Sequence, residues 1–210
     1  MDHKQPIIMI DNNDSFTYNL VQLIEEEGSA PVEVIPYGEV SDETFTGYHK
    51  IMISPGPGLP GDFPNLMTWV QKFGAEKSIL GICMGHEAIA LAFGGTLHHL
   101  GRVFHGIAKQ TQIIQQDYIF QGVSNDFDAG LYHSWALNPK TFPSELQVTA
   151  VAKDGVIMAL SHKKYDLKGF QFHPESIMTA EGRKMIRNWL HGQGIKYYQD
   201  AGKSNLSSER

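Results

Sequence analysis

A chain of 210 residues, 41% of them hydrophobic, is long enough to bury a sizeable core. Its formal net charge of -6 leaves no dominant basic face, which excludes a nucleic-acid surface, and phosphate binding is not expected. One cysteine excludes an internal disulfide and a cysteine-based zinc site, and no run is long enough to span a membrane. The expectation is a cytoplasmic protein without membrane contact.

Ile7-Ile8-Met9-Ile10 is a continuous apolar run that stops at Asp11-Asn12-Asn13-Asp14-Ser15. Phe16, Leu20, Leu23 and Ile24 then recur at helical spacing, which predicts a strand, a polar turn with Ser15 as N-cap, and a helix closing near Gly28. Val32-Glu33-Val34-Ile35 and Ile51-Met52-Ile53 read as the second and third strands. Strands alternating with helices and lacking hairpin turns imply parallel pairing, with helices on both faces of an open sheet. In such α/β sheets, sites gather beyond the carboxyl ends of the strands.

Gly56-Pro57-Gly58-Leu59-Pro60-Gly61 formally satisfies a dinucleotide fingerprint, with an acid, Glu76, at about the expected distance. That fingerprint needs backbone amides free to hold a pyrophosphate, and Pro55, Pro57 and Pro60 delete three of them. A rigid Pro-Gly turn instead fixes one or two amides where another group can approach closely. The next helix carries Leu66, Trp69, Val70 and Phe73 on its buried face.

Ser78-Ile79-Leu80 leads as a fourth strand into Gly81-Ile82-Cys83-Met84-Gly85-His86, and Glu87 to Phe93 has the spacing of a helix that closes at Gly94-Gly95. Strand, sharp turn and helix make a nucleophile elbow, with glycines removing the side chains that would collide as the chain reverses. The sulfur would lie above a helix N-terminus, whose dipole and free amides favour a thiolate. From Gly95 to about Ala159 short Thr-, Val-, Ile- and Gln-rich segments predict a small mixed or antiparallel β region without a long helix. Val156 to Leu160 and Gly169 to Phe172 read as strands returning to the main sheet. A last amphipathic helix uses Met185, Ile186, Trp189 and Leu190, with Glu181 in its first turn. Residues 1–192 thus form one domain, and 193–210 a polar, Ser-rich tail.

A thiol nucleophile needs a base, and the base needs a partner that fixes its tautomer. His173 and Glu175 fit, because residues two apart in an extended segment face the same way and Pro174 stiffens the link. Met84, directly after the nucleophile, offers one oxyanion amide, and the Gly56-Pro57-Gly58 loop offers a second. Metal chemistry is not expected. His86-Glu87-Ala88-Ile89 begins like a zinc signature but has Ala90 where a second histidine belongs, and His98-His99 face opposite sides of a strand. His105, His133 and His162 read as core or surface histidines. Taken alone, a lone cysteine is compatible with a plain core residue, and His-Pro-Glu with an ordinary turn.

Gly81 to His86, Ser54-Pro55-Gly56-Pro57-Gly58, Asp11 to Leu20, Tyr132-His133-Ser134 and Phe170 to Ser176 together resemble class I, triad-type glutamine amidotransferases. In particular they resemble component II, the glutaminase subunit, of the chorismate-using anthranilate and aminodeoxychorismate synthases. The resemblance runs from about Ile7 to Leu190. It implies that Cys83 attacks the carboxamide of glutamine, that His173 shuttles protons under the orientation of Glu175, and that the amides of Gly58 and Met84 hold the oxyanion. It further implies substrate contacts at Gly56, Glu87, Ser134 and Trp135, no cofactor, and delivery of ammonia to a chorismate-binding partner subunit.

The chain departs from that family at Glu87, where glutamine is usual, at Ile107-Ala108-Lys109 after His105-Gly106, and at Leu131 in place of an arginine. A carboxylate at 87 accepts hydrogen bonds but donates only when protonated, so glutamine binding is expected to be weakened or retuned. Two alternatives stay open: a stand-alone cysteine hydrolase of γ-glutamyl compounds, and a regulatory subunit impaired as a glutaminase. An acid that follows the histidine in the chain disfavours the α/β-hydrolase version of the former.

Overall fold

Alternate residues of the first strand point into two different cores, and the whole architecture follows from that alternation. In a computed structural model that describes residues 6–27 and 31–192, β1 (Ile7–Asp11) sends Ile7 and Met9 to one face and Ile8 and Ile10 to the other. A strand buried on both faces must be covered by helices twice over. On the first face lie α1 (Thr17–Glu26), through Leu20, Leu23 and Ile24, and α4 (Gly182–His191), through Met185, Ile186, Trp189 and Leu190. Against the second lie α2 (Asn65–Phe73), through Leu66, Trp69 and Val70, and α3 (Met84–Ala92).

The parallel half of the sheet is β2 (Val32–Pro36), β1, β3 (Lys50–Ile53), β4 (Ser78–Ile82) and β11 (Leu167–Phe170), in that spatial order. The same sheet continues without a break through β10 (Ile157–His162), β9 (Leu146–Ala152), β6 (Ile107–Ile113) and β7 (Asp126–Leu131), all antiparallel to their neighbours. The α/β class and the return of the late strands match the expectation. The antiparallel segments prove to extend the main sheet to nine strands rather than form a region beside it. Among the described residues, β5 (Leu97–His99) and β8 (Trp135–Leu137) form a separate two-stranded sheet.

Ser15 does not cap α1. The N-cap position is Phe16, without a side-chain cap, because acids upstream close the turn instead. Asp14 Oδ1 accepts from the Phe16 amide at 2.8 Å, and Asp11 Oδ1 accepts from Thr17 Oγ1 at 2.8 Å and from the Asn13 amide at 3.0 Å. Two carboxylates therefore carry the helix entry one residue past the serine. At the other end of the chain, Glu181 stands at the N-cap of α4 rather than within its first turn. The predicted helix end at Gly28 and the predicted tail at 193–210 lie outside the described residues. Among the described residues no helix is long and apolar enough to cross a membrane.

Candidate active site

Cys83 is held by its backbone in a conformation that few residues adopt. It follows β4 at φ 51° and ψ -101° and forms the N-cap of α3, its carbonyl accepting from the Glu87 amide at 3.1 Å. A non-glycine residue in the positive-φ region stores on the order of 1–3 kcal/mol, so the surroundings must enforce it. They do so from both sides: the Cys83 amide donates to Phe170 O at 2.7 Å, tying the elbow to β11, while Gly85 lies where a Cβ would come within 2.6 Å of Ile53 O. A glycine at 81, required by contact with Gly85, completes the elbow.

The topology brings the histidine to the sulfur's neighbourhood. β11 pairs parallel with β4, setting Gly169 beside Gly81 and Phe170 beside Ile82, so the residues leaving β11 emerge next to Cys83. His173 Nδ1 lies 2.6 Å from Glu175 Oε1, and both side chains are buried. With Nδ1 engaged by the carboxylate, the ring's Nε2 is left without a hydrogen-bond partner among the described residues and is available to exchange a proton. The backbone of this turn is stitched to β7: the His173 amide donates to Gly130 O at 3.0 Å, Thr179 Oγ1 donates to His173 O at 2.7 Å, and the Gly130 amide donates to Thr179 Oγ1 at 2.9 Å. Phe16, at 5.1 Å, and Tyr132, at 4.8 Å between ring centroids, pack edge-on against the His173 imidazole.

The resting sulfur differs from the expected thiolate. Burial pushes the Cys83 thiol well above its ordinary range, the charges of Glu87, Asp14 and Glu175 push it further, and only the Met84 N–H acts in the opposite direction. The helix N-terminus is outweighed because the thiol is desolvated among carboxylates. Ionisation of Cys83 therefore calls for a base to take the thiol proton.

The Ser54-Pro55-Gly56-Pro57-Gly58 loop is anchored on β1 and pressed against the elbow. Asn12 donates from its amide to Ser54 Oγ and from Nδ2 to Ser54 O, each at 2.9 Å. A Cβ on Gly56 would meet Met84 Cε at 2.4 Å and Asn12 Cβ at 2.8 Å, so glycine permits the close approach that the sequence suggested. Gly58 has φ +79°, and Asp62 Oδ2 accepts from the Leu59 amide at 2.9 Å to hold the turn.

Other predicted positions sort differently. Glu87 is buried (3% exposed) and accepts at Oε1 from Gln171 Nε2 at 3.1 Å; burial raises its carboxyl to about 8. Ser134 and Trp135 are half-buried where the chain passes from Tyr132 into β8, with Leu100 donating to Ser134 O at 2.9 Å and the Trp135 ring packed on His99. Tyr132, not either of these, is the residue of that segment in ring contact with His173. His133 is a core histidine: its Nδ1 faces Trp135 O at 2.6 Å, its ring stacks on Phe104, and burial lowers it to about 4. Among the described residues no group of three His, Cys, Asp or Glu side chains is placed to hold a metal ion.

Sequence reasoning assigns no role to Gln171 or Tyr132 and places Phe16 on the apolar face of α1. Gln171 Nε2 lies 3.9 Å from Cys83 Sγ, and Glu175 meets His173 not along an extended segment but within the turn that the Ser176 amide closes by donating to His173 O at 3.2 Å. Phe16 instead stands at the N-cap with its ring against the histidine.

A family model described as glutamine amidotransferase class-I matches residues 8–192. The Bacillus subtilis aminodeoxychorismate/anthranilate synthase component 2 is 42% identical over 190 residues, covering 88% of this chain and 95% of that one. Aminodeoxychorismate synthase component 2 of Klebsiella aerogenes is 38% identical over 187 residues, covering 88% and 99%. A solved structure from Thermoplasma acidophilum, provisionally assigned as part of a GMP synthase, shares the fold with a TM-score of 0.82 at 20% identity over 97% of this chain and 100% of that one. An elbow cysteine beside a carboxylate-bound histidine, on a sheet of this topology and with relatives of this kind, places the chain in the class-I glutamine amidotransferase family.

Proposed function

We propose that this chain is the glutaminase subunit of a chorismate-using synthase, releasing ammonia from glutamine for anthranilate or aminodeoxychorismate formation on a partner component I. The relatives named above are component 2 chains of such synthases, and a component 2 implies a chorismate-binding partner. The observation that carries the chemistry is the 2.6 Å contact between His173 Nδ1 and Glu175 Oε1 beside a cysteine forced into an elbow. The continuous sheet supports treating residues 1–192 as one domain.

In this reading His173 Nε2 takes the thiol proton as Cys83 Sγ attacks the carboxamide carbon of glutamine. The amides of Met84 and Gly58 hold the oxyanion of the tetrahedral intermediate. Collapse breaks the C–N bond, His173 returns its proton to the leaving nitrogen, and ammonia departs. His173 then takes a proton from water, which attacks the γ-glutamyl thioester and releases glutamate and the thiol. Gly56, Glu87, Ser134 and Trp135 form the surroundings in which glutamine binds, and no cofactor is required.

The test is release of glutamate and ammonia from glutamine by the chain alone and with a candidate component I, in parent and Cys83→Ser. Release that depends on Cys83, and coupling to the partner, bear the proposal out. Cys83-dependent hydrolysis of other γ-glutamyl compounds without any coupling favours a stand-alone hydrolase. Partner binding without glutamine turnover favours an impaired regulatory role.

A further inference from the structure

Gln171 is fully buried on the segment leaving β11, and its amide nitrogen addresses two groups of the elbow at once. Nε2 stands 3.1 Å from Glu87 Oε1 and 3.9 Å from Cys83 Sγ, while Gln171 Oε1 has no hydrogen-bond partner among the described residues. The Gln171 amide also donates from its backbone to Met158 O at 2.9 Å, so the residue is anchored to β10 independently of its side chain. An –NH2 group carries two hydrogens, one for each neighbour. Which end of a carboxamide faces the elbow matters, because an N–H beside a sulfur supports the thiolate and an amide oxygen in the same place opposes it.

Glu87 decides that orientation. Its Oε1 accepts from Gln171 Nε2 at 3.1 Å, and an accepting oxygen in that place selects the –NH2 end of the facing amide. We propose that Glu87 is a positioning residue that fixes the Gln171 amide with an N–H toward the Cys83 sulfur, and that Gln171 thereby supports the thiolate during attack. The inference rests on the reading of Cys83 as the nucleophile.

The surroundings give this second donor its weight. Glu87 from α3, Asp14 from the loop after β1 and Glu175 from the turn after β11 all act against a charge on the sulfur, and the Met84 N–H acts for it. His173 reaches the site from the same segment as Gln171, while His86 on α3 and His133 before β8 are held neutral by burial and add no compensating positive charge. A desolvated sulfur with Asp14, Glu175 and, once ionised above about pH 8, Glu87 acting on it needs every donor available, and Gln171 Nε2 is in place to be one.

Cys83 is the chain's only cysteine, so alkylation by iodoacetamide followed by mass reads its ionisation on the full chain without turnover. Gln171→Met removes the donor and keeps the volume; Gln171→Leu is the second choice should that variant not fold. The alkylation midpoint is expected to rise by about one pH unit, which slows the reaction about 10-fold at pH 7. The kcat for glutamine falls to match, with KM within about 2-fold. In a Glu87→Met background, where nothing orients the amide, the same Gln171→Met change is expected to slow alkylation about 2-fold or less. An unchanged profile in Gln171→Met, or an equal effect in both backgrounds, overturns the inference. A parent chain that alkylates normally but never turns over glutamine overturns the glutaminase reading instead, and the alkylation profiles still decide this one.

Discussion

Gly81 and Gly85 are in backbone contact across the elbow: a Cβ on Gly81 would lie 2.3 Å from the carbonyl carbon and oxygen of Gly85, and 2.8 Å from the His86 amide nitrogen. None of those atoms belongs to a flexible side chain, so the clash is relieved only by moving α3 off β4. Cys83 rides on that junction. Gly81→Ala is therefore expected to cost about 2–3 kcal/mol of folding stability, read from the urea midpoint, and to abolish glutamine turnover in whatever fraction stays folded. Parent-like turnover in a folded Gly81→Ala chain shows that the elbow geometry is not required.

Glu175→Gln isolates the orienting role. Glutamine keeps the size of the side chain but replaces an acceptor-only carboxylate by a group that can present an N–H to His173 Nδ1, reversing the tautomer that the 2.6 Å contact enforces. Where the orienting acid of a hydrolytic triad has been changed to an amide, losses reach about 10,000-fold in kcat. A loss of at least about 100-fold in glutamate release is expected here, with alkylation showing that Cys83 is still present and accessible. A loss below about 10-fold assigns Glu175 to structure alone.

Much of this is legible in the chain. The alternating apolar strands, the four helices and the glycines around Cys83 are local signals, and they survive folding because each is decided within a few residues. His173 and Glu175 are legible for the same reason, being two apart. What is not legible depends on partners distant in sequence. The thiolate expectation weighs the helix N-terminus but has no means of knowing that Asp14, Glu87 and Glu175 converge on a buried sulfur. The return of β10 and β11 to the main sheet is legible, yet nothing local says that β9, β6 and β7 then continue it by antiparallel pairing. Ser15 has the right residue type for a cap, and the competing carboxylate of Asp14 wins by reaching the Phe16 amide first.

Glu87 should weaken the fold as pH rises. Its carboxyl is raised by burial from 4.5 to about 8, so between those values the folded chain binds more protons at this site than the unfolded chain does. Stability tied to that bound proton is full below about pH 4.5 and is lost as pH climbs through about 8. Glu87→Gln removes the titration, so its Tm relative to the parent should improve between pH 5 and pH 8.5 by on the order of several degrees. A Tm difference independent of pH shows that the carboxyl is solvated in the folded chain. Glutamine KM in the same variant tests whether the acid also retunes substrate binding; an unchanged KM removes that idea.

Histidines act at the other end of the pH range. His86 is buried on α3 with neither ring nitrogen hydrogen-bonded to a side chain, and Gly169 lies so close that a Cβ there would be 2.8 Å from its Nδ1. Burial lowers it from 6.5 to about 3, and lowers His162 to about 4, where Nδ1 accepts from the amides of Lys164 and Tyr165. A histidine with a depressed folded pKa stabilises above its unfolded value and loses that contribution as pH falls toward the folded one. The Tm should therefore drop steeply from pH 6.5 toward pH 4. His162→Asn, which keeps an acceptor for the turn, should flatten part of that drop; an identical slope removes His162 from the account.

Asp62 offers a way to loosen the oxyanion loop without touching the site. It is exposed, and its Oδ2 accepts from the Leu59 amide at 2.9 Å while occupying the space beside Gly58, whose φ of +79° only glycine adopts without strain. Asp62→Ala frees that turn but leaves the Asn12–Ser54 anchor and the Gly56–Met84 contact in place. Full loss of one oxyanion donor costs on the order of 100- to 1,000-fold in rate, and a donor that is merely less well held should cost less. The expected result is a kcat reduced about 10-fold, a KM for glutamine within about 2-fold, and a nearly unchanged Tm, since the lost bond is at the surface. The pre-steady-state burst of ammonia reports acylation and the release of glutamate reports thioester hydrolysis, and each passes through an oxyanion on which the donor acts. Because substrate binding and fold stability are both left intact, an unaltered kcat means either that the Gly58 amide is positioned by the prolines alone or that the oxyanion is held elsewhere, and Gly58→Ala then distinguishes the two: its strain displaces the amide in the first case and is catalytically silent in the second.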